Sequence, residues 1–283
     1  MKLLRYGPKG QERPAMLDAD GRIRDLSGHV ADITGDVLAA ERLRQLAQLD
    51  PASLPLVEGN PRLGPPVKGI GKILAIGLNY RSHAEETGST PRSEPLLFSK
   101  AITALSGPND PIMIPKGSTQ TDWEAELAVI IGSVTRYVGE AEALDHVAGY
   151  TIINDVSERT FQRERGGQFI KGKSADTFAP LGPWLVTRDE IPDPQKLAIR
   201  LDLNGRTRQD ATTADMIFPV AYLISHVSQF MTLMPGDVLA TGTPAGVGLG
   251  CKPPEFLKPG DVLELSIEGL GHQRQDVVAY RES

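Results

Sequence analysis

Cysteine is nearly absent. Cys251 stands alone, so no internal disulfide can form and no metal site can be built from thiolates. Basic excess is absent too. With 30 Lys and Arg against 36 Asp and Glu, a formal net charge of −6 and a pI near 5.5, nothing supplies the basic face that tracks phosphates, which excludes a general nucleic-acid binder. Long apolar runs are missing, and Met1-Lys2-Leu3-Leu4-Arg5-Tyr6-Gly7-Pro8 is too short for the apolar core of a signal peptide. The chain therefore reads as soluble and cytoplasmic, without a membrane partner. Repeats and low-complexity tracts are lacking as well. The glycine-rich stretch from Gly242 to Gly250 has no Gly-Lys-Ser/Thr and runs into Cys251-Lys252-Pro253-Pro254 instead of a helix, which excludes a nucleotide-cradling loop. Its backbone N–H groups and the Thr243 hydroxyl can still serve a carboxylate.

What remains is an ordinary globular balance, 40% hydrophobic and 23% charged over 283 residues. That length accommodates one large domain, or a catalytic domain with a small appendage. The 29 Gly and 22 Pro predict many strands and turns.

Short strands are expected at Lys2–Tyr6, Pro14–Asp18 and Arg22–Leu26, the last two joined by an Asp20-Gly21 turn. Apolar residues at Val37, Leu38, Leu43, Leu46 and Leu49 predict an amphipathic helix over 36–49. Proline and glycine crowd the chain from Pro51 to Gly71, which marks a linker. Lys72–Leu78 then reads as a buried strand. In the segment that follows, His83 and Glu86 are three apart and share a face if it is helical. Such a pair is either an exposed ion pair or a general base whose tautomer is fixed by the carboxylate.

The stretch Thr121-Asp122-Trp123-Glu124-Ala125-Glu126-Leu127, continuing to Gly132, carries the strongest signal. As one strand it places Glu124, Glu126, Ala128 and Ile130 on one face and Trp123, Ala125, Leu127, Val129 and Ile131 on the other. Two carboxylates at the lip of a strand buried on both sides repel and resist desolvation unless a cation joins them. Hard divalent cations take such oxygen ligands; a solvated face bearing two glutamates is the alternative. Val147–Asn154 is a second buried strand, ending on Asp155, which is placed to be a third ligand or, with Ser157, to cap a helix over 158–165. Arg159, Gln162 and Arg163 share a polar face of that helix. Lys173 lies in the strand-like run 169–174, facing either an anionic site or solvent. Leu197–Leu203 with Asn204-Gly205 reads as a hairpin, Ile217–Phe230 as the longest helix, and 261–268 with 273–280 as a closing antiparallel pair.

The ordered set Gly77-Leu78-Asn79-Tyr80-x-x-His83-x-x-Glu86, Trp123-Glu124-x-Glu126-Leu127, Asn154-Asp155-Val156-Ser157-x-Arg159, Lys173-Ser174 and Pro235-Gly236-Asp237-Val238-x-x-Thr241-Gly242-Thr243-Pro244-x-Gly246-Val247-Gly248 resembles the fumarylacetoacetate hydrolase family over residues 70 to 280. The resemblance implies a strand-rich α+β fold, with a mixed β-roll catalytic domain over 69–283 behind a small β-rich N-terminal domain and linker over 1–68. It also implies a homodimer and one Mg²⁺ or Mn²⁺ per chain. Glu124, Glu126 and Asp155 match the family's metal carboxylates. His83 and Glu86 match its water-activating pair, and Lys173 its oxyanion-stabilising lysine. Arg159, Gln162 and Thr243 fall at substrate-binding positions. The fumarylacetoacetate enzyme has a further aspartate ligand ahead of its histidine. Here that place is the apolar Ala75-Ile76-Gly77, which leaves coordination room for water and a bidentate substrate.

Met1–Gly10 and Gly149–Arg159 are similar to a subgroup containing 2,4-diketo-3-deoxy sugar-acid hydrolases and proteins labelled ureidoglycolate lyase. The expected activity is hydrolysis of a carbon–carbon bond in a short, anionic 2,4-diketo acid, releasing pyruvate. The alternatives are C–N cleavage of ureidoglycolate, decarboxylation or isomerisation of a keto acid, and a binding domain without chemistry.

Overall fold

The computed structural model describes residues 1–88 and 93–282. Its frame is an 11-stranded sheet whose main path runs Ile23–Asp25, Arg13–Leu17, Lys2–Tyr6, Ala179–Thr187, Val147–Asn154, Ala125–Ile131, Val238–Ala240, Ile73–Gly77, Leu96–Lys100. The two strands read as buried on both faces, Ala125–Ile131 and Val147–Asn154, lie together near its middle, paired antiparallel. Every residue of both is buried, as a near-continuous apolar run requires. With a second sheet of five strands, four of them from the C-terminal half, and only short helices, the fold is the expected strand-rich α+β type.

The N-terminal strands extend this same sheet. Lys2–Tyr6 pairs antiparallel with Ala179–Thr187, Leu3 opposite Leu185. Leu3, Met16 and Leu26 belong to one apolar core with Leu127, Ile152 and Leu185.

The second sheet runs Arg206–Thr212, Ala198–Leu203, Val262–Ile267, Gly271–Val278, Ile112–Met113. It is joined to the large sheet by buried glutamines. Gln273 Nε2 donates to Ile152 O and Gly182 O, each at 2.9 Å, close to the register shift between Tyr150 and Ile152. Gln209 accepts from Ala125 N at 3.0 Å. These amides satisfy backbone groups that a packed sheet would otherwise leave stranded.

Local differences from the sequence reading have local causes. The Glu-x-Glu stretch is two strands, Thr121–Asp122 and Ala125–Ile131, because side chains replace the ladder between them: Trp123 N donates to Asp122 Oδ1 at 2.8 Å and Glu124 N to Asn154 Oδ1 at 3.1 Å. The helix Arg159–Arg163 is capped by neither Asp155 nor Ser157. Glu158 accepts from Phe161 N at 2.6 Å. The run at 169–174 is no strand. Gly166 and Gly167 turn the chain at φ 85° and 70°, and Ile170–Lys173 closes a single helical turn, too short to carry a periodic signal. The helix expected over 36–49 spans Ala40–Ala47.

Candidate active site

Glu124 and Glu126 sit at the start of Ala125–Ile131, and Asp155 follows the end of its neighbour. Antiparallel pairing sets Ala125 opposite Asn154, so the three carboxylates meet at one end of the sheet. One oxygen from each lies within 4.8 Å of the others, and all three are buried. Into the same cleft of about 490 Å³ come His83, Glu86, Arg159, Gln162, Lys173 and Thr243. Every residue singled out from the sequence is therefore at this site or lining it.

The electrostatics are dense. Lys173 Nζ lies 2.7 Å from Glu124 Oε2 and 2.6 Å from Asp155 Oδ2. Arg159 reaches Glu124 Oε1 at 2.8 Å and donates through Nε to Asp122 Oδ2 at 2.8 Å. Lys100 pairs with Asp155 Oδ1 and donates to Val156 O at 3.1 Å. Burial raises the Glu124 carboxyl, but Lys173 and Arg159 outweigh it and hold the group below the usual carboxylate range. Glu126 goes the other way. Burial, then Asp155 and Glu124, push it well above that range. Burial also pulls Lys100 down to about 8, against the attraction of Asp155. Lys173 rises, its two carboxylates overcoming burial.

Four buried carboxylates (Asp122, Glu124, Glu126 and Asp155) thus face three cationic side chains. Among the described residues Glu126 is the one without a cationic partner, its Oε2 accepting only from Gly242 N at 2.8 Å. The site fits a divalent cation on these grounds. The oxygens converge, one carboxylate is uncompensated, and a carboxylate oxygen that accepts one hydrogen bond keeps a second lone pair.

A consequence is pH-dependent binding. Because Glu126 is raised, the folded chain holds a proton there at pH values where an ordinary glutamate has lost it, and a cation must expel that proton. Mn²⁺ affinity should therefore fall as pH drops through the raised value. Titration calorimetry in buffers of different ionisation enthalpy should detect proton release. Binding with no proton released would contradict the assignment.

His83 and Glu86 lie on the helix Arg81–Glu86, with Nδ1 3.4 Å from Oε2. Glu86 Oε1 accepts from Gly246 N at 3.0 Å. Phe98 and Phe169 pack edge to face at 5.4 Å and give the cleft an apolar wall. The Thr243 hydroxyl donates to Ala125 O at 3.0 Å and accepts from Gln209 at 2.8 Å, so its one proton is already committed to the protein.

Two residues at the site escaped sequence reasoning. Asp122 is fully buried and accepts four hydrogen bonds at 2.7–3.0 Å, from the N–H groups of Trp123, Gly248 and Leu249 and from Arg159 Nε. Lys100 ends the strand Leu96–Lys100 with its side chain wholly enclosed. Lys100 closes the largely apolar run Leu96-Leu97-Phe98-Ser99 and Asp122 follows the polar Ser118-Thr119-Gln120-Thr121, so neither stands out from an ordinary charge at a strand end, although charged residues are almost never buried without partners.

A strand-rich fold with a buried carboxylate cluster that could hold a metal ion, and a histidine–carboxylate pair lining the same cleft, fits a class of metal-dependent enzymes. The chain belongs to the fumarylacetoacetate hydrolase family: the family described as fumarylacetoacetate (FAA) hydrolase C-terminal matches residues 72–278. Among solved structures, fumarylacetoacetate hydrolase from Exiguobacterium antarcticum is 38% identical with a TM-score of 0.88, covering 99% of this chain and 100% of its own. Maleylpyruvate hydrolase from Sphingobium sp. SYK-6, in complex with manganese(II) and pyruvate, is 30% identical with a TM-score of 0.82, covering 99% and 100%. 2-Hydroxyhepta-2,4-diene-1,7-dioate isomerase from Mycobacterium marinum is 31% identical with a TM-score of 0.76, covering 100% of both chains. Among the described residues no helix is long and apolar enough to cross a membrane.

Proposed function

We propose that this chain hydrolyses a carbon–carbon bond of a short 2,4-diketo acid, a 2,4-diketo-3-deoxy sugar acid in the first instance, and releases pyruvate. The observation that carries this reading is one cleft lined by Glu124, Glu126, the Lys173 ammonium and the His83–Glu86 pair, with Asp155 buried directly beside the two glutamates. A Mg²⁺ or Mn²⁺ held by Glu124, Glu126 and Asp155 supplies Lewis-acid polarisation of the keto acid.

The chain's own residues do the rest. Glu86, fixed by Gly246 N–H, accepts from His83 Nδ1–H and leaves Nε2 free to take a proton from water. The water oxygen adds to the carbonyl carbon distant from the carboxylate, and the oxyanion formed there is met by Lys173. The carbon–carbon bond then breaks, its electron pair leaves with the pyruvate fragment, and that carbon takes up a proton. Arg159 and Gln162, both buried and joined at 3.1 Å, bind the anionic substrate. Thr243, Phe98 and Phe169 contribute to the wall.

The test is a substrate panel with Mn²⁺ or Mg²⁺, with pyruvate, glyoxylate and CO₂ followed separately. Pyruvate from a 2,4-diketo acid is the expected result, and its absence across the panel overturns the reading. Keto–enol isomerisation is the second reading, favoured by the likeness to the mycobacterial isomerase; ultraviolet loss of the enol without pyruvate would establish it. Glyoxylate from ureidoglycolate would mark a C–N lyase. We also propose a homodimer, so light scattering should give about twice the 30.5 kDa chain mass; a monomer mass at every concentration contradicts it.

A further inference from the structure

We propose that Asp122 is a positioning residue that clamps the loop 246–250 so that its backbone holds Glu86 against His83. The inference rests on the hydrolase reading above for what the dyad does, but the clamp itself is geometry. Asp122 Oδ1 accepts from Gly248 N at 2.7 Å and Oδ2 from Leu249 N at 3.0 Å. Two residues before Gly248, Gly246 N donates to Glu86 Oε1 at 3.0 Å, and the other oxygen of Glu86 faces His83. Trp123, next to Asp122, ties the same glycine from its other side, Nε1 donating to Gly246 O at 3.0 Å.

The seat is tight. A Cβ on Gly250 would lie 2.1 Å from Glu86 Cδ, one on Gly246 1.8 Å from Arg208 O, and one on Gly248 1.9 Å from Glu255 O and 2.7 Å from Asp122 Oδ1. The loop therefore sits directly on both carboxylates, and only glycine allows that approach. Asp122 also accepts from Arg159 Nε at 2.8 Å, and Arg159 reaches Glu124. One carboxylate thereby ties the loop that orients the dyad to the arginine that flanks the triad. It meets only donors. An asparagine has the same shape but replaces one acceptor with an NH₂ group, which must face either Arg159 or a backbone N–H.

The test combines Asp122→Asn, Glu86→Gln and the double variant, with wild-type enzyme loaded with Mn²⁺. Asp122→Asn should lower kcat by about 10- to 100-fold, as loss of a supporting hydrogen-bond partner typically does. In the Glu86→Gln background it should cost clearly less than in the wild type, because the dyad it positions is already broken and only its contact with Arg159 remains to be lost. A general loss of folding would instead multiply the two effects, and that result overturns the proposal. Hydrogen–deuterium exchange gives a readout needing no substrate. In the wild type the amides of Gly246, Gly248 and Leu249 should be protected like those of the strand Ala125–Ile131; in Asp122→Asn they alone should exchange faster. Fast exchange at Gly248 and Leu249 in the wild type overturns the clamp even if the variant does not fold. A wild type inert on every keto acid would fail the hydrolase reading, while the exchange result still decides the clamp.

Discussion

Asp155→Ala is expected to abolish binding of Mn²⁺ and to cost about 3–5 kcal/mol of stability, the range found when one member of a buried ion pair is removed. Both effects come from one position. Asp155 is fully buried and faces two enclosed ammonium groups, Lys100 at Oδ1 and Lys173 at Oδ2. Alanine leaves Lys100 with only the carbonyl of Val156 and removes one of the three carboxylates that could hold the cation. Calorimetric titration and denaturant unfolding on the same preparation measure the two losses. Unchanged Mn²⁺ affinity in a folded variant would move the cation site elsewhere. Asp155→Asn separates the causes, since it keeps shape and a donor oxygen while removing charge. Its stability should lie between wild type and alanine.

His83→Ala should lower kcat by ~10²–10⁴-fold, the usual contribution of a positioned general base, with Mn²⁺ affinity retained. His83 is nearly buried, its ring nitrogen is directed at Glu86, and the carboxylates that could hold an ion are those of Glu124, Glu126 and Asp155. The measurements are pyruvate release under saturating substrate and a parallel metal titration. Hydrolysis at the parent rate would rule out the dyad as the source of the water nucleophile. Loss of metal would place the imidazole among the ligands. Survival of enolisation with loss of hydrolysis would show that proton abstraction from water is the step His83 serves.

Much of this site was legible because its parts obey short-range rules. Glu124 and Glu126 are two apart beside a strand, and His83 and Glu86 are three apart on a helix, spacings that fix a shared face without knowledge of the fold. Asp155 was legible as the carboxylate following an apolar strand. The Asn204-Gly205 hairpin was legible too, with both residues at positive φ, 53° and 74°. What was not legible depends on distant partners. Asp122 meets Arg159 37 positions on and Gly248 126 positions on, and Lys100 meets Asp155 55 positions on. No local pattern distinguishes such a residue from a charge at a strand end. For Lys173 the sequence left an anionic site and solvent both open, and the resemblance alone pointed to the former. Its helical turn was not legible, because four residues do not make a period.

The pairing of Lys2–Tyr6 with Ala179–Thr187 bears on how this protein can be cut. A chain trimmed to the family's matched span, 72–278, would keep the pairing of Ala179–Pro180 with Leu105–Ser106 but lose that strand, leaving the edge at Leu185 and Val186 with bare N–H and C=O groups beside an uncovered apolar face. A bare edge of this kind recruits strands from other molecules. The trimmed protein should therefore form insoluble, β-rich aggregates.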